Sequence, residues 1–391
     1  MDFLRRRRGS DSDDEGVSAI HKSRRPPNTA FRQQRLKAWQ PILTPKSVIP
    51  LLLLLAVIFA PLGIAIIHTT YNVELLEIDY SKCENLEPDD FVKVPSKYTA
   101  HHFRHKNTDP DFKWKVTSDK DDFGDDIKTC YIQFELPRDL KPPLYMYYKL
   151  TNFYQNHRKY VESYDLEQLK GNAVSSDSLT DKCKPLKYVG DKIIYPCGLI
   201  ANSYFNDTIS SPVLLNAKSS SNNETYEMSD KGISWSSDRD HKYKKTEYKP
   251  EDIVPPPNWY KMYPKGYTEK NLPDLKTWEH LQNWMRTAGL PSFYKLYGKN
   301  ETQTMTSGSY QFSVVMNYPT KSFGGTKSVV ITTSSIFGGR NMSLGVIYVI
   351  VAAVSLVLGV AFLIQHLIKP RRLADHNYLQ NVSPTNFRDQ L

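Results

Sequence analysis

The sequence predicts a membrane protein with two transmembrane helices and, between them, a large, mainly antiparallel-β, sandwich-like ectodomain with inserted helices. Three observations predict it: two long uncharged apolar runs, cysteines and glycosylation acceptors clustered in the segment between them, and period-two alternation of apolar residues along that segment.

The first run, "VIPLLLLLAVIFAPLGIAII", covers Val48 to Ile67, and the second, "LGVIYVIVAAVSLVLGVAFLI", Leu344 to Ile364. At a helical rise of about 1.5 Å per residue, about 20 such residues cross the roughly 30 Å hydrocarbon core of a bilayer. A buried core helix rarely runs so long without a polar face. A cleavable signal peptide fits the first run poorly, because 47 mostly polar residues precede it and no small-residue cleavage site follows. It reads as an uncleaved signal anchor.

Flanking charge orients both spans. Eleven Lys or Arg residues lie before Val48, whereas "HTTYNVELLEIDYSKCENLEPDD" after the first run holds one Lys and seven acids. Positive-inside then places the N-terminus in the cytosol. The second run is followed by "KPRR", Lys369 to Arg372, against Arg340 alone on its other flank, so the C-terminus is expected there too. The expected organisation is a cytosolic tail over 1–47 with a short juxtamembrane helix, spans over 48–67 and 344–368, a lumenal or extracellular domain over 68–343, and a cytosolic tail over 369–391.

Cysteines and sequons agree with this topology. Cys83, Cys130, Cys183 and Cys197 all fall in the middle segment, as an oxidising compartment predicts. The acceptor motifs at Asn206, Asn223, Asn300 and Asn341 fall there too. Asn341 sits too near the second run for ready access by a glycosylating enzyme. Asn381, in the cytosolic tail, should stay bare.

The chain has 391 residues and a formal charge of +9, which raises the question of nucleic acid. The excess is uneven: residues 1–47 carry eleven basic against five acidic residues, while the middle mixes both signs. "MDFLRRRRGSDSDDEGVSA" has too little apolar surface to order itself. In "LYMYYKLTNFYQNH", Leu144, Met146, Tyr148 and Leu150 share one strand face. "FKWKVT" and "CYIQFELP" read as further strands. "YQFSVVMNYPTKSFGGTKSVVITTSS" reads as a hairpin turning at Gly324-Gly325. In "PDLKTWEHLQNWMRTAGLP", Asp274 is the expected cap of a helix striped by Trp278, Leu281, Met285 and Ala288 and ended by Gly289 and Pro291. "IVPPPNWYKMYPKGY" reads as extended and proline-stiffened.

No catalytic constellation stands out. His101, His102 and His105 lack an acidic or cysteine ligand at fixed spacing. "DKDDFGDD", Asp119 to Asp126, places Phe123 at a calcium-ligand position and Cys130 where the closing Glu belongs, so it reads as an acidic turn. "FGGTKS" lacks the Gly-Lys pair of a phosphate loop. No cofactor and no metal site is expected, and the spans lack the ionisable residues of a transport pathway.

The segment "PPNTAFRQQRLKAWQP", Pro26 to Pro41, is different. It interleaves Arg32, Arg35 and Lys37 with Phe31, Leu36 and Trp39 and contains no acid. The prolines bracket a short expected helix capped by Asn28 or Thr29, with Phe31, Arg35 and Trp39 recurring every four residues. An arginine between aromatics can stack, snorkel and reach phosphates or carboxylates. At a cytosolic membrane face the expected contacts are phospholipid headgroups or a membrane partner's loops, not nucleic acid.

Six segments then carry a resemblance: "PPNTAFRQQRLKAWQPILTPKSVIP", "YYKLTNFYQNHRKYVESYD", "KIIYPCGLIANSYFND", "VPPPNW", "TWEHLQNWMRTAGLPSFYKLYGK" and "GGRNMSLGVIYVIV". In this order and in a two-span frame, they resemble the Cdc/Lem family of β-subunits of type IV P-type ATPases, the phospholipid flippases. The resemblance runs roughly from Pro26 to Pro370. It implies a non-catalytic subunit needed for an ATPase partner, the catalytic α-subunit of a heterodimer, to leave the endoplasmic reticulum and to work in Golgi, endosome or plasma membrane. It further implies that Asn28, Phe31, Arg32, Arg35 and Trp39 contact that partner, and that Cys83 pairs with Cys130 and Cys183 with Cys197. Animal members carry a further cysteine pair missing here, which implies a fungal member. Two other classes share parts of the pattern: a two-span channel subunit, and a lumenal cargo or adhesion receptor.

Overall fold

The computed structural model describes residues 27–37, 43–87, 90–104, 110–120, 124, 126–215 and 223–370. By internal contacts the chain divides into two units, one of residues 1–53 with 357–391, the other of residues 54–356.

Two long helices pass through both units: α1, Pro45–Tyr71, and α6, Ser343–Ile368. Both are long and apolar enough to cross a membrane. Val57, Ile64 and Val357 are exposed along them, as side chains meant for lipid must be. In the larger unit the two helices touch at glycine. A Cβ on Gly63 would lie 2.9 Å from the Gly345 carbonyl oxygen, and one on Gly345 would lie 2.7 Å from Ile67 Cγ1. Small residues here let backbones meet, and Phe59 packs edge-on against Tyr348 at 5.1 Å.

Between the helices the chain runs β1 (Leu75–Asp79), β2 (Val92–Lys93), β3 (Thr99–His102), β4 (Phe112–Lys120), β5 (Asp126–Leu136) and β6 (Leu144–Leu150). Short helices α2 (Arg158–Val161) and α3 (Leu166–Leu169) lead to β7 (Tyr188–Val189) and β8 (Lys192–Ile194). There follow α4 (Leu199–Asn202), β9 (Thr208–Ile209), β10 (Val213–Leu214), β11 (Glu224–Thr225) and β12 (Ile253–Val254). Helix α5 (Glu279–Met285) precedes β13 (Phe293–Asn300), β14 (Gly308–Met316) and β15 (Lys327–Thr333).

The long strands form two antiparallel sheets. One has the order β13-β6-β15-β1-β3; the other runs β11-β10-β14-β5-β4-β2, with β9 also paired to β14. Strand β6 alternates buried and half-buried residues without a break, Leu144, Met146, Tyr148 and Leu150 facing inward. Phe112, Trp114 and Val116 of β4, Ile132 and Phe134 of β5, and Phe312 and Val314 of β14 join them in one apolar core. Disulfides link Cys83 to Cys130 and Cys183 to Cys197.

Three local expectations need correction. The stretch from Tyr310 to Thr333 is not a hairpin, because β14 and β15 belong to different sheets. The chain crosses over at Asn317 and Tyr318, whose backbone N–H groups both donate to Asp207 Oδ1 at 2.6 Å, and Gly324 turns it with φ +63°. Helix α5 begins at Glu279, not beside Asp274. The Asp274 carboxylate instead accepts from Lys276 N at 3.0 Å and closes a separate turn. "IVPPPNW" is extended only as far as Pro256, after which Pro257–Trp259 form a 3-10 turn that seats Trp259 in the core.

Candidate partner-binding surfaces

The juxtamembrane segment folds as a single turn among its described residues, not as the expected helix. Gln33 N donates to Thr29 O at 2.9 Å and Arg35 N to Ala30 O at 2.7 Å, while Thr29 Oγ1 accepts from Arg32 N at 3.3 Å. Gln34 then takes φ +54°, a left-handed conformation that a helix cannot continue through. The Arg35 guanidinium bends back to donate to Asn28 Oδ1. Arg32 and Arg35 are exposed, and Phe31 is 77% exposed. This turn therefore presents two guanidinium groups and an uncovered aromatic ring, with Arg35 held by Asn28. Trp39 lies outside the described residues.

The sequons differ in their surroundings. Asn223 is exposed just before β11. Asn206 is half-buried, its Oδ1 shut away without a partner. It lines an open cavity of about 570 Å³ beside Tyr204, Trp278 and His280. Asn300 is only 9% exposed, and its Nδ2 donates to Glu227 O at 2.8 Å and to Gln303 Oε1 at 3.3 Å. Asn341 Oδ1 accepts from Ser343 N at 3.0 Å at the start of α6.

Asp207, between the Asn206 and Thr208 of one sequon, is the polar centre of the sheet domain. Its Oδ2 accepts from the Tyr80 hydroxyl at 2.8 Å and from Lys327 Nζ at 2.7 Å, while Oδ1 takes the two backbone donors after β14. Lys327 also donates to Tyr318 O at 2.8 Å. Burial, then the Asp207 charge, push the Tyr80 phenol well up, so it stays protonated and donates. Nothing in the sequence pattern singled out Asp207; the available signal was a charge flanked by Phe205 and Ile209, matched by Lys327 before "SVVI".

Both Asp207 oxygens are occupied by fixed donors, and burial holds the nearby His280 imidazole below its ordinary range, leaving it neutral against the Tyr297 ring at 4.5 Å. Among the described residues no three His, Cys, Asp or Glu side chains converge as metal ligands. His101 and His102 sit on β3, where His102 Nε2 lies 2.9 Å from Tyr71 O; His105 lies outside the described residues.

Comparison with known proteins finds relatives over most of the chain. A phospholipid-transporting ATPase accessory subunit of Saccharomyces cerevisiae, CRF1, is 50% identical over 362 residues, covering 92% of this chain and 89% of the relative. The accessory subunit CDC50 of Chaetomium thermophilum is 43% identical, covering 97% and 98%. Cell cycle control protein 50A of Mus musculus is 36% identical, covering 88% and 89%. The model of the LEM3 (ligand-effect modulator 3) family / CDC50 family matches residues 66–372. With its two membrane-length helices and antiparallel sheet domain, this chain is an integral membrane protein that belongs to the CDC50/LEM3 family.

Proposed function

We propose that this chain is the non-catalytic accessory subunit of a phospholipid-translocating type IV P-type ATPase, pairing with the catalytic subunit and supporting its exit from the endoplasmic reticulum, its stability and its activity. The observation that carries this reading is near full-length similarity to proteins named as such subunits, 97% of this chain in one case. Both termini face the cytosol and the sheet domain faces the lumen or the exterior, in Golgi, endosome or plasma membrane. The ATPase hydrolyses ATP; this chain contributes contacts. Asn28, Phe31, Arg32, Arg35 and Trp39 meet the partner at the cytosolic face, and Asn206, Asn223 and Asn300 carry glycans.

The test is replacement of Phe31, Arg35 and Trp39 together by Ala. Anchors of this kind carry about 2 kcal/mol or more each at interfaces, so co-purification of the ATPase or its lipid-dependent ATP hydrolysis should fall while the ectodomain stays folded and glycosylated. Ion conduction or substrate hydrolysis by the purified chain alone would overturn the reading in favour of a channel or an enzyme.

A further inference from the structure

Between β15 and α6 the chain makes a tight turn that carries apolar residues outward. Ser335 N donates to Gly338 O and Gly338 N to Ser335 O, both at 2.9 Å. Ser335 Oγ accepts from Phe337 N at 3.2 Å and donates to Gly338 O at 3.0 Å. Gly338 closes the turn with φ +96°, which strains any residue that has a Cβ. These bonds leave Ile336 and Phe337 at the apex, 95% and 50% exposed. The turn between β7 and β8 shows the ordinary choice for water: Gly190 and Asp191 stand at its exposed apex.

The two ends of this loop fix how far the apex can lie from the membrane boundary. Thr333 N donates to Glu74 O at 3.0 Å and Glu74 N to Thr333 Oγ1 at 2.9 Å, and Glu74 follows Tyr71, the last residue of α1, by three positions. At the other end a Cβ on Gly345 would lie 3.0 Å from Ile67 N. Ile67 closes the first uncharged run and Leu344 opens the second, so both runs end at the same depth. Ile336 is three residues from Thr333 and Phe337 six from Ser343, which limits their reach to about 11 Å and about 22 Å from these anchors beside the helix ends. Arg340, exposed four residues past Ile336, is the single Lys, Arg, Asp or Glu between Lys327 and Lys369. A lone exposed apolar side chain needs no account. Two neighbours raised on a hydrogen-bonded apex, beside two membrane helices and next to one arginine, have the composition of an interfacial anchor.

We propose that the Ile336–Phe337 apex inserts into the phospholipid bilayer, at the boundary of headgroups and acyl chains in the leaflet on the sheet domain's side, with the Arg340 guanidinium reaching back to headgroup phosphates. The long arginine stem suits that reach. The apex then holds the sheet domain to the membrane at a third point beside α1 and α6. The proposal rests on both helices spanning a membrane and is independent of which ATPase, if any, is bound.

The test uses the full chain reconstituted in phosphatidylcholine vesicles. All four native cysteines are paired, so I336C or F337C takes a nitroxide spin label at one site. T304C, at an exposed position one residue before the Met305–Leu140 bridge, gives the water-facing reference, and I347C, at a position 57% exposed on α6, the lipid-facing one. Collision of the label with oxygen, which concentrates in hydrocarbon, is compared with its collision with a water-soluble nickel chelate. The oxygen-to-nickel ratio at 336 and 337 should exceed that at 304 by about fivefold and approach that at 347. Adding F337D to spin-labelled I336C should return the ratio to the value at 304, because a carboxylate draws the apex back into water. Intact disulfides in each variant report that the sheet domain is folded. A ratio at 336 equal to that at 304 would overturn the proposal, as would one that F337D leaves unmoved. A label that meets nickel freely in the chain alone, and is shielded from both reagents only once a catalytic subunit binds, would also overturn it and assign the apex to that protein.

Discussion

Lys327 Nζ lies 2.7 Å from Asp207 Oδ2, with 6% and 0% of the two side chains exposed. The pair ties the start of β15 to the turn before β9, and through Tyr80 and Tyr318 it also fixes the segments that follow β1 and β14. Removing one partner of a buried pair strands the other charge, at a cost of about 3–5 kcal/mol. Lys327→Ala should therefore unfold the ectodomain at markedly lower temperature. The double substitution D207N/K327M keeps the Asn206 sequon and should recover part of the loss. Equal stability of wild type and K327A in thermal unfolding would contradict this account.

Glu279 gives a pH dependence of known sign. Burial pushes its carboxyl up, but donation from Gly232 N at 3.0 Å, from Ser234 N at 3.0 Å and from Ser234 Oγ at 3.1 Å, with Arg239 at 3.7 Å, outweighs it and holds the carboxyl below its ordinary value. A carboxylate depressed in the native state binds fewer protons there than when unfolded. Its stabilisation is complete above the ordinary value near about 4.3 and is lost as pH falls through the native value. E279Q should cost about 1.5–3 kcal/mol at neutral pH and flatten the acid limb of a stability–pH profile. An unchanged acid limb would refute the assignment.

The disulfides should differ in what they contribute. Cys83 and Cys130 are 47 positions apart and Cys183 and Cys197 are 14 apart. Loop-closure entropy alone then predicts about 4 and about 3 kcal/mol. Chemical denaturation of C83A/C130A and C183A/C197A should show that order, and a larger loss from the shorter loop would point to packing instead.

Asn300 and Asn223 separate sugar from side chain. In protein made without glycosylation, N300Q should still lose about 1–2 kcal/mol, because its Nδ2 and Oδ1 both serve the loop around Gln303. N223Q, at an exposed site, should lose less. Thermal unfolding of the two glycan-free variants decides the point.

Topology is read directly by protease added to sealed microsomes. Only the tails should be trimmed, and glycosidase should then shift the protected fragment. Protection of the N-terminal tail would reverse the orientation.

The sequence made some elements plain and concealed others, for physical reasons. Strand β6 was legible because its inward set of Leu144, Met146, Tyr148 and Leu150 repeats at the period of the pleat, and the two membrane helices were legible because lipid tolerates so few compositions. The misreading of Tyr310 to Thr333 came from a local rule: Gly324 does turn the chain, but which strand receives β15 is decided by β6 and β1, far away in sequence. The juxtamembrane helix failed at Gln34, a residue with no intrinsic bar to helix, so its left-handed φ could not be anticipated from spacing. Asp207 was hidden inside a motif read for its asparagine.

The position of β15 has a consequence for synthesis. It lies in the middle of its sheet, between β6 and β1, yet it is the last strand made, and α6 begins only ten residues after it ends. Until Lys327–Thr333 is made, β1 and β6 each keep an open edge, the kind of surface on which a chain pairs wrongly. The sheet can close only when the chain is complete almost to the second long helix. A chain that stops short of Lys327 therefore leaves the sheet in two halves, and completion of the sheet is tied in time to synthesis of the second long helix.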